Sequence, residues 1–291
     1  MGATARSVLV TGSSTGVGAA CVDRLARSGW RVVAGVRRDE DADRISSTVR
    51  DALPLHLDVT DGDSIAAAVE RIDEEVGRLD AVVNNAGIVV SGPVELLDVD
   101  DWREQFEVNL FGLVAVTRAT MPLVDRVGGR YVHIGSIAAR ISTAGLSPYS
   151  ASKHAVSALN WALREELQAI GTMTSTVIEP GEVATPIWDK GRAQLTELEA
   201  RLDGAGLTGR YGWLVDNFRA FVAEAVEHGI DPDRVARVVE RALTARRPRA
   251  RYVVGADARA MAVAARLPDR ARELLSRRLG DRYVRQGRAM T

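Results

Sequence analysis

The feature that most constrains this chain is the alternation of short apolar segments with amphipathic segments along most of its length. The apolar segments are rich in Val and Ile and are bounded by Gly, Pro or Asp, which predicts buried strands. Between them, apolar residues recur at helical spacing. The predicted strands are residues 7–10, 31–36, 53–59, 79–87, 129–136, 174–181 and 250–255, and the predicted helices are 17–28, 41–50, 62–76, 100–126, 149–170 and 231–246. This alternation predicts an α/β fold with a doubly wound parallel sheet of about seven strands and helices on both faces.

The bulk composition narrows the possible functions. The 291 residues show no repeat, linker or low-complexity tract, so we predict one domain over 1–291. A net charge of −1 predicts no nucleic-acid partner. The single cysteine, Cys21, lies in a helical pattern and is predicted to be a core residue, and no residue cluster has metal-ligand spacing. The start of the chain leads directly into a strand, which predicts a cytoplasmic protein without stable membrane insertion.

A glycine-rich stretch, "TGSSTGVG", follows the first predicted strand and opens into a helix. Gly12 permits a tight turn, Gly16 lets a pyrophosphate approach the backbone, and Gly18 allows the helix to pack closely on the strand. A helix start also presents unpaired N–H groups to a phosphate. The stretch therefore predicts a Rossmann-type dinucleotide site, with a purely structural turn as the alternative. The predicted ligands are Gly12, Ser14, Thr15, Gly16, Val17 and Gly18.

The end of the second predicted strand should meet the adenosine ribose. It reads "AGVRR", with Arg37 and Arg38 before the first carboxylate at Asp39. A basic residue there accommodates a 2′-phosphate, so we predict NADP(H) rather than NAD(H), with Arg37 as the phosphate ligand. The alternative is that both arginines are simply solvated. Asp58, followed by Val59, ends the third strand, where it would either accept from the adenine amino group or cap the helix near residue 61.

Four motifs occur in order along the chain: "TGSSTGVG", "NNAG" at 84–87, "SPYSASK" at 147–153 and "EPGEVATP" at 179–186. With them the chain resembles the classical branch of the short-chain dehydrogenases/reductases over residues 6 to about 255. Three further stretches, "VNLFG" at 108–112, "EPGEVATPIW" at 179–188 and "RYVVGADAR" at 251–259, are similar to the retinol dehydrogenase and 17β-hydroxysteroid dehydrogenase-like group. The resemblance implies an NAD(P)-dependent oxidoreductase acting on CH–OH groups, assembled as a homodimer or homotetramer.

The resemblance also implies roles for individual residues. Ser136, Tyr149 and Lys153 take the catalytic positions, and Asn109 completes a tetrad. Asn84 would support the centre of the sheet. The cofactor-binding positions beyond the first loop would be Asn85, Ala86, Gly87, Tyr149, Lys153, Pro180, Gly181, Val183 and Thr185. Glu182, which follows Pro-Gly, is an unusual residue at this position of the family motif. It places a carboxyl beside the expected nicotinamide site.

The chemistry explains why these residue types are needed. Hydride transfer to a carbonyl builds negative charge on its oxygen, which must be hydrogen-bonded and then protonated. A tyrosine alone is a weak acid, and a cation one helical turn away lowers its pKa. Lys153 lies four residues after Tyr149 and is one of only two lysines beside 36 arginines. Lysine, unlike arginine, can pass on a proton, and Ser136 would be a second donor to the substrate oxygen.

Local sequence signals support this placement. Ser147 is predicted as the N-cap of the helix that carries Tyr149, with Pro148 at its first position. Asn109 and Gly112 are poor helix formers inside a predicted helix. A local kink that exposes a carbonyl to a relay water would explain them, and a tolerated polar residue is the alternative. His133 is predicted to be a packed core residue, and His154 to be structural.

Two regions break the strand–helix alternation. Residues 186–230 hold five aromatic residues, Trp188, Tyr211, Trp213, Phe218 and Phe221. We predict a lid that forms an apolar substrate pocket, with a helical pair packed on the main core as the alternative. The tail, 257–291, is predicted to be helical and to cover the domain or a subunit contact. Contact with a membrane surface is the alternative for its basic, amphipathic pattern.

Together the motifs predict an NADP(H)-dependent oxidoreductase that interconverts an alcohol and a carbonyl on a lipophilic small molecule. Two other hypotheses about the function remain. One is a non-catalytic protein that senses the dinucleotide through the same fold. The other keeps an enzyme of the same fold but makes the chemistry a dehydration or an epimerisation.

Overall fold

The computed structural model describes residues 5–185 and 187–274, with the side chains of 187–193 left out. Seven strands are present in this part of the chain. They are β1 (Ser7–Val10), β2 (Arg31–Val36), β3 (Leu53–His56), β4 (Ala81–Asn84), β5 (Arg130–Ile134), β6 (Thr174–Pro180) and β7 (Arg251–Val254). All are paired in parallel, in the order β3-β2-β1-β4-β5-β6-β7. The predicted doubly wound α/β fold is confirmed.

Helices connect the strands as predicted. They are α1 (Gly16–Arg27), α2 (Asp39–Thr48), α3 (Gly62–Glu75), α4 (Val99–Phe106), α5 (Gly112–Asp125), α6 (Ser147–Ile170), α7 (Ile187–Gly204), α8 (Thr208–His228), α9 (Pro232–Thr244) and α10 (Ala256–Ala264). The predicted strands 53–59 and 79–87 were too long, because their last residues leave the sheet and line the cleft above it.

The sheet separates two hydrophobic cores. Val8 and Val10 of β1 face α1 and α9, whereas Leu9 faces the opposite side, where α3, α5 and α6 pack. Successive strand side chains point to opposite faces, so a strand buried on both faces must be apolar at every position. Cys21, predicted to be a core residue, is fully buried in the first core. The two cores hold the strand ends in fixed positions beneath the cleft.

A π-helical turn, Glu107–Phe111, joins α4 to α5. It contains the buried Asn109 and is followed at once by Gly112. A Cβ on Gly112 would lie 2.7 Å from the carbonyl oxygen of Val59, so only glycine allows the helix this close to the segment that follows β3. The helical irregularity predicted at Asn109 and Gly112 is therefore present. It takes the form of a π-helical turn, which holds one residue more than a regular α-helical turn.

The helix from Val99 to Asp125 is long and apolar enough to cross a membrane by length and composition alone. It is the one such helix among the residues that the structure describes. Leu113, Val116 and Leu123 of this helix pack into the protein's own cores, and buried Gln105 and Asn109 interrupt its apolar surface. The core helix of a globular domain meets the same criteria, so this helix is weak support for a membrane span.

The insertion predicted at 186–230 forms the helical pair α7 and α8. The pair has a small core of its own, to which Leu198, Leu202, Val215 and Val222 contribute. The predicted aromatic Trp188 lies among the residues whose side chains are not described. After β7 the chain continues into α10, and the rest of the predicted tail beyond residue 274 lies outside the described residues.

Candidate active site

A cleft of about 2150 Å³ opens above the carboxyl ends of the strands. The strand order reverses between β1 and β4, which is where open α/β sheets bind ligands. Of the residues predicted for catalysis and cofactor binding, only Gly18 and Asn109 do not line this cleft. The fold thus brings together positions that are spread from residue 12 to residue 185.

The glycine loop has the geometry that its sequence predicts. Gly12 and Gly16 adopt positive φ angles of 63° and 58°. A Cβ on Gly18 would lie 2.2 Å from the carbonyl oxygen of Gly12, closer than any real contact. Gly18 therefore permits the close approach of α1 to the loop, and the other two glycines permit the turn.

The loop after β1 is tied to the loop after β4 by hydrogen bonds. The Thr11 hydroxyl accepts from the backbone N–H groups of Asn85 and Ala86, both at 3.0 Å. The Asn85 amide in turn donates to the carbonyls of Thr11 and Gly12, again at 3.0 Å. These bonds align the two loops at the point where the strand order reverses.

The start of α1 fits the phosphates of a dinucleotide. Its N-cap, Thr15, makes no side-chain cap hydrogen bond, and its first turn contains no acidic residue. The first backbone N–H groups of the helix are thus left for an anion, which the positive end of the helix dipole also favours. The residues present fit a bound pyrophosphate at this place.

Beside β2, the two arginines predicted at the ribose differ in their contacts. Arg38 donates to the Asp41 carboxylate at 3.0 Å. Arg37 makes no hydrogen bond or ion pair within the part of the chain that the structure describes, and it lines the cleft. Arg44 binds both Asp41, at 2.9 Å, and the carbonyl oxygen of Ser14, at 2.6 Å. Sequence reasoning missed Asp41 and Arg44, because a contact between α2 and the glycine loop is not a local pattern.

Asp58 lines the cleft and also shapes its own turn. Its carboxylate accepts from the backbone N–H and the hydroxyl of Thr60, at 2.9 and 2.7 Å. The cap of α3 is Asp61, whose carboxylate accepts from the backbone of Asp63. The alternative that Asp58 caps this helix is therefore wrong, since Asp61 lies one residue before the helix.

Tyr149 and Ser136 meet at the centre of the cleft. The Ser136 side chain lies close enough to the Tyr149 phenol to influence its pKa, and it accepts from the backbone N–H of Ala138 at 3.1 Å. Burial raises the pKa of Tyr149 above its ordinary value, and the nearby Ser136 hydroxyl only partly opposes this. In the protein alone, the pKa of Tyr149 is thus shifted in the opposite direction to the one predicted, because a phenolate loses more solvation than Ser136 restores.

Lys153 lies beside the tyrosine as the four-residue spacing predicts. Its ammonium is 5.7 Å from the centre of the Tyr149 ring and donates to the carbonyl of Ile134 at 2.9 Å. Lys153 is only 6% exposed. Burial lowers its pKa to about 8, because an ammonium inside the protein loses its hydration.

Asn109 holds the loop that follows β4. Its amide oxygen accepts from the backbone N–H of Ile88 at 2.8 Å, and its amide nitrogen donates to the carbonyl of Ile88 and the hydroxyl of Ser152, both at 3.1 Å. Gly87 packs against this amide, where a Cβ would be 3.2 Å from its oxygen. Asn109 therefore connects the π-helical turn, the loop that follows β4, and α6.

The start of α6 differs from the prediction. The residue that precedes the helix is Leu146, and Ser147 is already its first helical residue. The first helical hydrogen bond runs from the N–H of Ser150 to the carbonyl of Leu146, at 2.8 Å. The Ser147 hydroxyl is buried without a hydrogen-bond partner, so it is not the predicted N-cap. Tyr149 nevertheless lies in the first turn, as predicted.

The loop after β6 carries an unexpected pair of carboxyls. The Asp257 carboxylate of α10 accepts from the backbone N–H of Glu182 at 3.0 Å and packs on Gly181, where any Cβ would overlap it. Burial, together with the charges of Glu224 and Asp257, raises the pKa of Glu182 to about 7. Sequence reasoning singled out Glu182 but missed Asp257, since it lies 75 residues further along the chain.

The two histidines near the site differ in environment. His133 is fully buried, as predicted, and burial lowers its pKa to about 4. Its Nδ1 lies 3.2 Å from the amide nitrogen of Asn84, which also donates to Thr117. His154 is exposed and lies at the wall of the cleft, with Nδ1 2.8 Å from the carbonyl oxygen of Ser150.

Two elements outside the sheet complete the walls of the cleft. From α8, Trp213, Leu214, Asn217, Phe218 and Phe221 line it. From the C-terminal segment, Asp257, Ala260, Met261, Ala264, Asp269, Arg272 and Glu273 line it. The prediction that the tail covers the domain did not place it in the substrate cleft. The tail is rich in Ala and Arg, and this composition does not indicate which surface of the domain the tail packs against.

Comparison with known proteins agrees with this geometry. The sequence model of the family described as short chain dehydrogenase matches residues 6–196. A protein of Ornithobacterium rhinotracheale named NADPH-dependent 3-dehydrocapnine reductase is 34% identical over 257 residues, which cover 86% of this chain and 88% of that protein.

Two further relatives span most of the chain. The 17-beta-hydroxysteroid dehydrogenase type 6 of Bos taurus is 35% identical over 262 residues, covering 86% of this chain and 81% of that protein. The crystal structure of a short-chain dehydrogenase from Streptomyces avermitilis superposes with a TM-score of 0.72 at 28% identity, covering 90% of this chain and 92% of that one.

Proposed function

The chain belongs to the short-chain dehydrogenase family, whose members include reductases and dehydrogenases of alcohols and carbonyls, and from this premise we propose its reaction. It is an NADP(H)-dependent oxidoreductase that interconverts an alcohol and a carbonyl on a lipophilic small molecule. One observation carries the proposal: the Ser136 hydroxyl, the Tyr149 phenol and the Lys153 ammonium lie together in the same cleft as the glycine loop.

Ser136 and Tyr149 act on the carbonyl oxygen. When bound, the nicotinamide cofactor supplies the hydride that reduces the carbonyl carbon. Ser136 donates a hydrogen bond to the oxygen as negative charge builds on it. Tyr149 gives the same oxygen its phenolic proton. Because the pKa of Tyr149 is raised, the phenol holds this proton until the substrate oxygen becomes negatively charged.

Lys153 prepares the tyrosine for the next turnover. A cation one turn away favours the phenolate that remains after proton transfer, although burial alone raises the pKa of Tyr149. Since the pKa of Lys153 is lowered to about 8, its ammonium can release a proton near neutral pH. An arginine at this position would stay charged and could not do so.

Asn109 positions the proton path. Its side chain is fully engaged with Ile88 and Ser152, which leaves the irregular backbone of the π-helical turn for a relay water. π-helical turns are frequent at functional sites for this kind of reason. The role is proposed on this local geometry and on the family resemblance.

The preference for NADP(H) rests on Arg37. Of the two arginines after β2, Arg38 is held by Asp41, whereas Arg37 lines the cleft without an ion pair among the described residues. A guanidinium in that position suits a 2′-phosphate on the adenosine ribose. The name of the Ornithobacterium relative, an NADPH-dependent reductase, points in the same direction.

A lipophilic substrate is supported by the cleft walls. Leu214, Phe218 and Phe221 from α8 and Met261 and Ala264 from the C-terminal segment line the same cleft. Apolar side chains of this kind, contributed by two separate elements, suit a molecule that is largely hydrocarbon. The hydroxysteroid dehydrogenase among the relatives bears the name of a substrate of that kind.

The test is a cofactor titration followed by a substrate panel. The purified protein is titrated with NADPH and with NADH, and aliphatic, alicyclic and aromatic ketones are then offered with the preferred cofactor. We expect tighter binding of NADPH and oxidation of NADPH by apolar ketones. Tighter binding of NADH would contradict the role of Arg37. Binding without turnover on any ketone would favour the dinucleotide sensor, and a product of unchanged oxidation state would favour a dehydration or epimerisation.

A further inference from the structure

A buried carboxylate near the cleft has no part in the mechanism above. Glu179, near the end of β6, is completely buried. Its Oε2 is 2.7 Å from Nε of Arg140, and its Oε1 is 2.8 Å from Nε of Arg251. Ser157 of α6 adds a longer contact, with its hydroxyl 3.4 Å from Oε1. A charge this far from water must be paired, so the question is what the pairing holds in place.

The two arginines bind this carboxylate differently. Arg140 makes a well-directed hydrogen bond to it through Nε. Nε of Arg251, although close, has no hydrogen-bond partner, and its directed bond runs from the guanidinium to Ser157 at 2.7 Å. Charge-assisted bonds with good geometry are the ones that fix an orientation. The Arg140–Glu179 contact is therefore the directional one, and Arg251 mainly neutralises charge.

Arg140 lies at one end of a very short element whose other end is the catalytic serine. A 3₁₀ turn, Ile137–Ala139, begins after Ser136 and ends at Arg140. The backbone N–H of Arg140 donates to the carbonyl of Ile137 at 2.9 Å. A single 3₁₀ turn has poor hydrogen-bond geometry and little rigidity of its own. Its orientation must come from what its ends are attached to.

Glu179 belongs to β6, the strand next to β5, after which Ser136 lies. It directly precedes Pro180 and Gly181, which line the cleft at the proposed nicotinamide position. The N–H of Gly181 donates to the carbonyl of Val254 at 2.9 Å, so this end of β6 is fixed in the sheet. The sheet end is thus the rigid partner. Gly135, which precedes Ser136, already donates its N–H to the carbonyl of Ile178 at 2.8 Å, so the Arg140 end of the turn is the part that the ion pair with Glu179 anchors.

Building on the proposed function, we propose that Arg140 is a positioning residue for carbonyl reduction. Its ion pair with Glu179 anchors the turn 137–139 to the end of β6 and thereby aims the Ser136 hydroxyl at the Tyr149 phenol and the substrate oxygen. A hydrogen-bond donor that stabilises a developing oxyanion works only within a few tenths of an ångström of its correct distance. Loss of the anchor would leave Ser136 in the cleft but out of alignment.

The first test compares two arginines that share one carboxylate. Arg140→Met and Arg251→Met each remove a positive charge from Glu179, but only Arg140 follows the Ser136 turn. With a ketone that the wild-type enzyme reduces, and with saturating NADPH, Arg140→Met should lower kcat by at least about 10-fold, a fraction of the effect of losing an oxyanion donor. Arg251→Met should stay within about 3-fold, and both should keep the NADPH Kd of the wild type. Equal losses of kcat, or no loss in Arg140→Met, would overturn the proposal.

The second test asks whether Arg140 acts through Ser136. In a double-mutant cycle, Arg140→Met is measured in the wild type and in a Ser136→Ala background. If Arg140 only positions Ser136, its removal should cost less than about 2-fold once the hydroxyl is gone. Additive losses would show that Arg140 acts elsewhere and would overturn the proposal. Arg140→Lys, which keeps the charge beside Glu179, should recover part of the lost kcat.

A third readout needs no substrate and separates this inference from the proposed function. In crystal structures of the single variants, the Ser136 hydroxyl should move away from the Tyr149 phenol in Arg140→Met and keep its wild-type position in Arg251→Met. An unmoved hydroxyl in Arg140→Met would overturn the proposal even if the wild type reduced no ketone. If Arg140→Met does not fold, Arg140→Lys and Arg251→Lys carry the same comparison.

Discussion

The positions of single residues in the cleft are set by their neighbours in the sequence to different degrees. Tyr149 and Lys153 are placed by helical spacing alone, because positions four apart share a helix face. Ser136 comes from a different strand and meets Tyr149 only when β5 and α6 are packed together. Changes at each position therefore test different parts of the proposed chemistry.

Tyr149→Phe removes the proton donor and little else. We expect kcat for ketone reduction to fall by roughly 100-fold to 10,000-fold, because general acid catalysis contributes about that much. NADPH binding should be nearly unchanged, since the aromatic ring remains. Stopped-flow turnover and fluorescence titration of NADPH measure the two quantities. Turnover equal to that of the wild type would show that the phenol is not the acid.

Arg37→Met tests the cofactor preference. Loss of a charge-assisted contact to a 2′-phosphate should raise the Kd for NADPH by roughly 10-fold to 100-fold, with little change for NADH. Arg38→Met is the matched control, because Arg38 is already bound to Asp41 at 3.0 Å. Isothermal titration with both cofactors checks the difference. The assignment fails if Arg38→Met weakens NADPH binding more than Arg37→Met does.

At the scale of elements, local sequence was sufficient for most strands and helices and insufficient at their ends. Predicted strand 31–36 matches β2 residue for residue, whereas predicted strand 79–87 extends past the four residues of β4. Asn85, Ala86 and Gly87 read as a continuation of the strand. In the structure all three leave the strand and line the cleft, and the backbone N–H groups of Asn85 and Ala86 donate to the Thr11 hydroxyl. The end of a strand is decided by which partner its backbone finds, and that partner lies in another loop.

Gly18→Ala tests the contact between α1 and the glycine loop. The added Cβ would lie 2.2 Å from the carbonyl of Gly12, so α1 must shift. Overpacking of this kind should destabilise the protein by roughly 1–3 kcal/mol and weaken dinucleotide binding. Thermal unfolding and NADPH titration measure both effects.

Gly62→Ala is the matched control for that variant. Gly62 begins α3, has an ordinary φ angle, and has open space where its Cβ would be. Alanine there should leave stability unchanged or raise it slightly, since it restricts the unfolded chain. Equal stability of the two variants would show that α1 tolerates displacement and that Gly18 is not needed for close packing.

At the scale of the whole molecule, the walls of the cleft come from parts of the chain that are far apart in the sequence. Residues of α8 and of the C-terminal segment line the same cleft as the glycine loop. The helical tail over 275–291, the homo-oligomeric state and the cytoplasmic location stay predictions. Lys153 lines this cleft and is only 6% exposed, and its burial changes the charge balance of the site.

Lys153→Met tests the energetic consequence of that burial in the cofactor-free protein. The pKa of Lys153 falls to about 8 in the folded state, from an ordinary value of 10.5. Below pH 8 the folded protein holds a poorly solvated ammonium. Between pH 8 and 10.5 the folded state releases the proton while the unfolded state keeps it, so this destabilisation is relieved as pH rises.

The pH dependence gives the expected result. The depression corresponds to about 3 kcal/mol at pH 7, partly offset in the variant by loss of the bond to Ile134, worth about 1 kcal/mol. Lys153→Met should therefore be more stable than the wild type at pH 7, by a margin that shrinks at pH 9.5. Urea unfolding at both pH values measures this. Arg103→Met, which alters an exposed ion pair, should show no such change between the two. A margin independent of pH would show that burial of the ammonium is not the cause.

The sequence by itself determined the order of the strands and helices, the glycine loop and the spacing of Tyr149 and Lys153. These follow from periodicity and from backbone requirements that act within a few residues. Only the tertiary structure decided that Arg44 braces the glycine loop, that Asp257 holds the loop at Glu182, and that Arg140 and Glu179 are paired. These contacts join residues 30 to 75 positions apart, and a charged side chain does not reveal in the sequence which distant backbone group or opposite charge it will bind. Burial makes that choice, because a charge removed from water is stable only beside the partner that the fold brings to it.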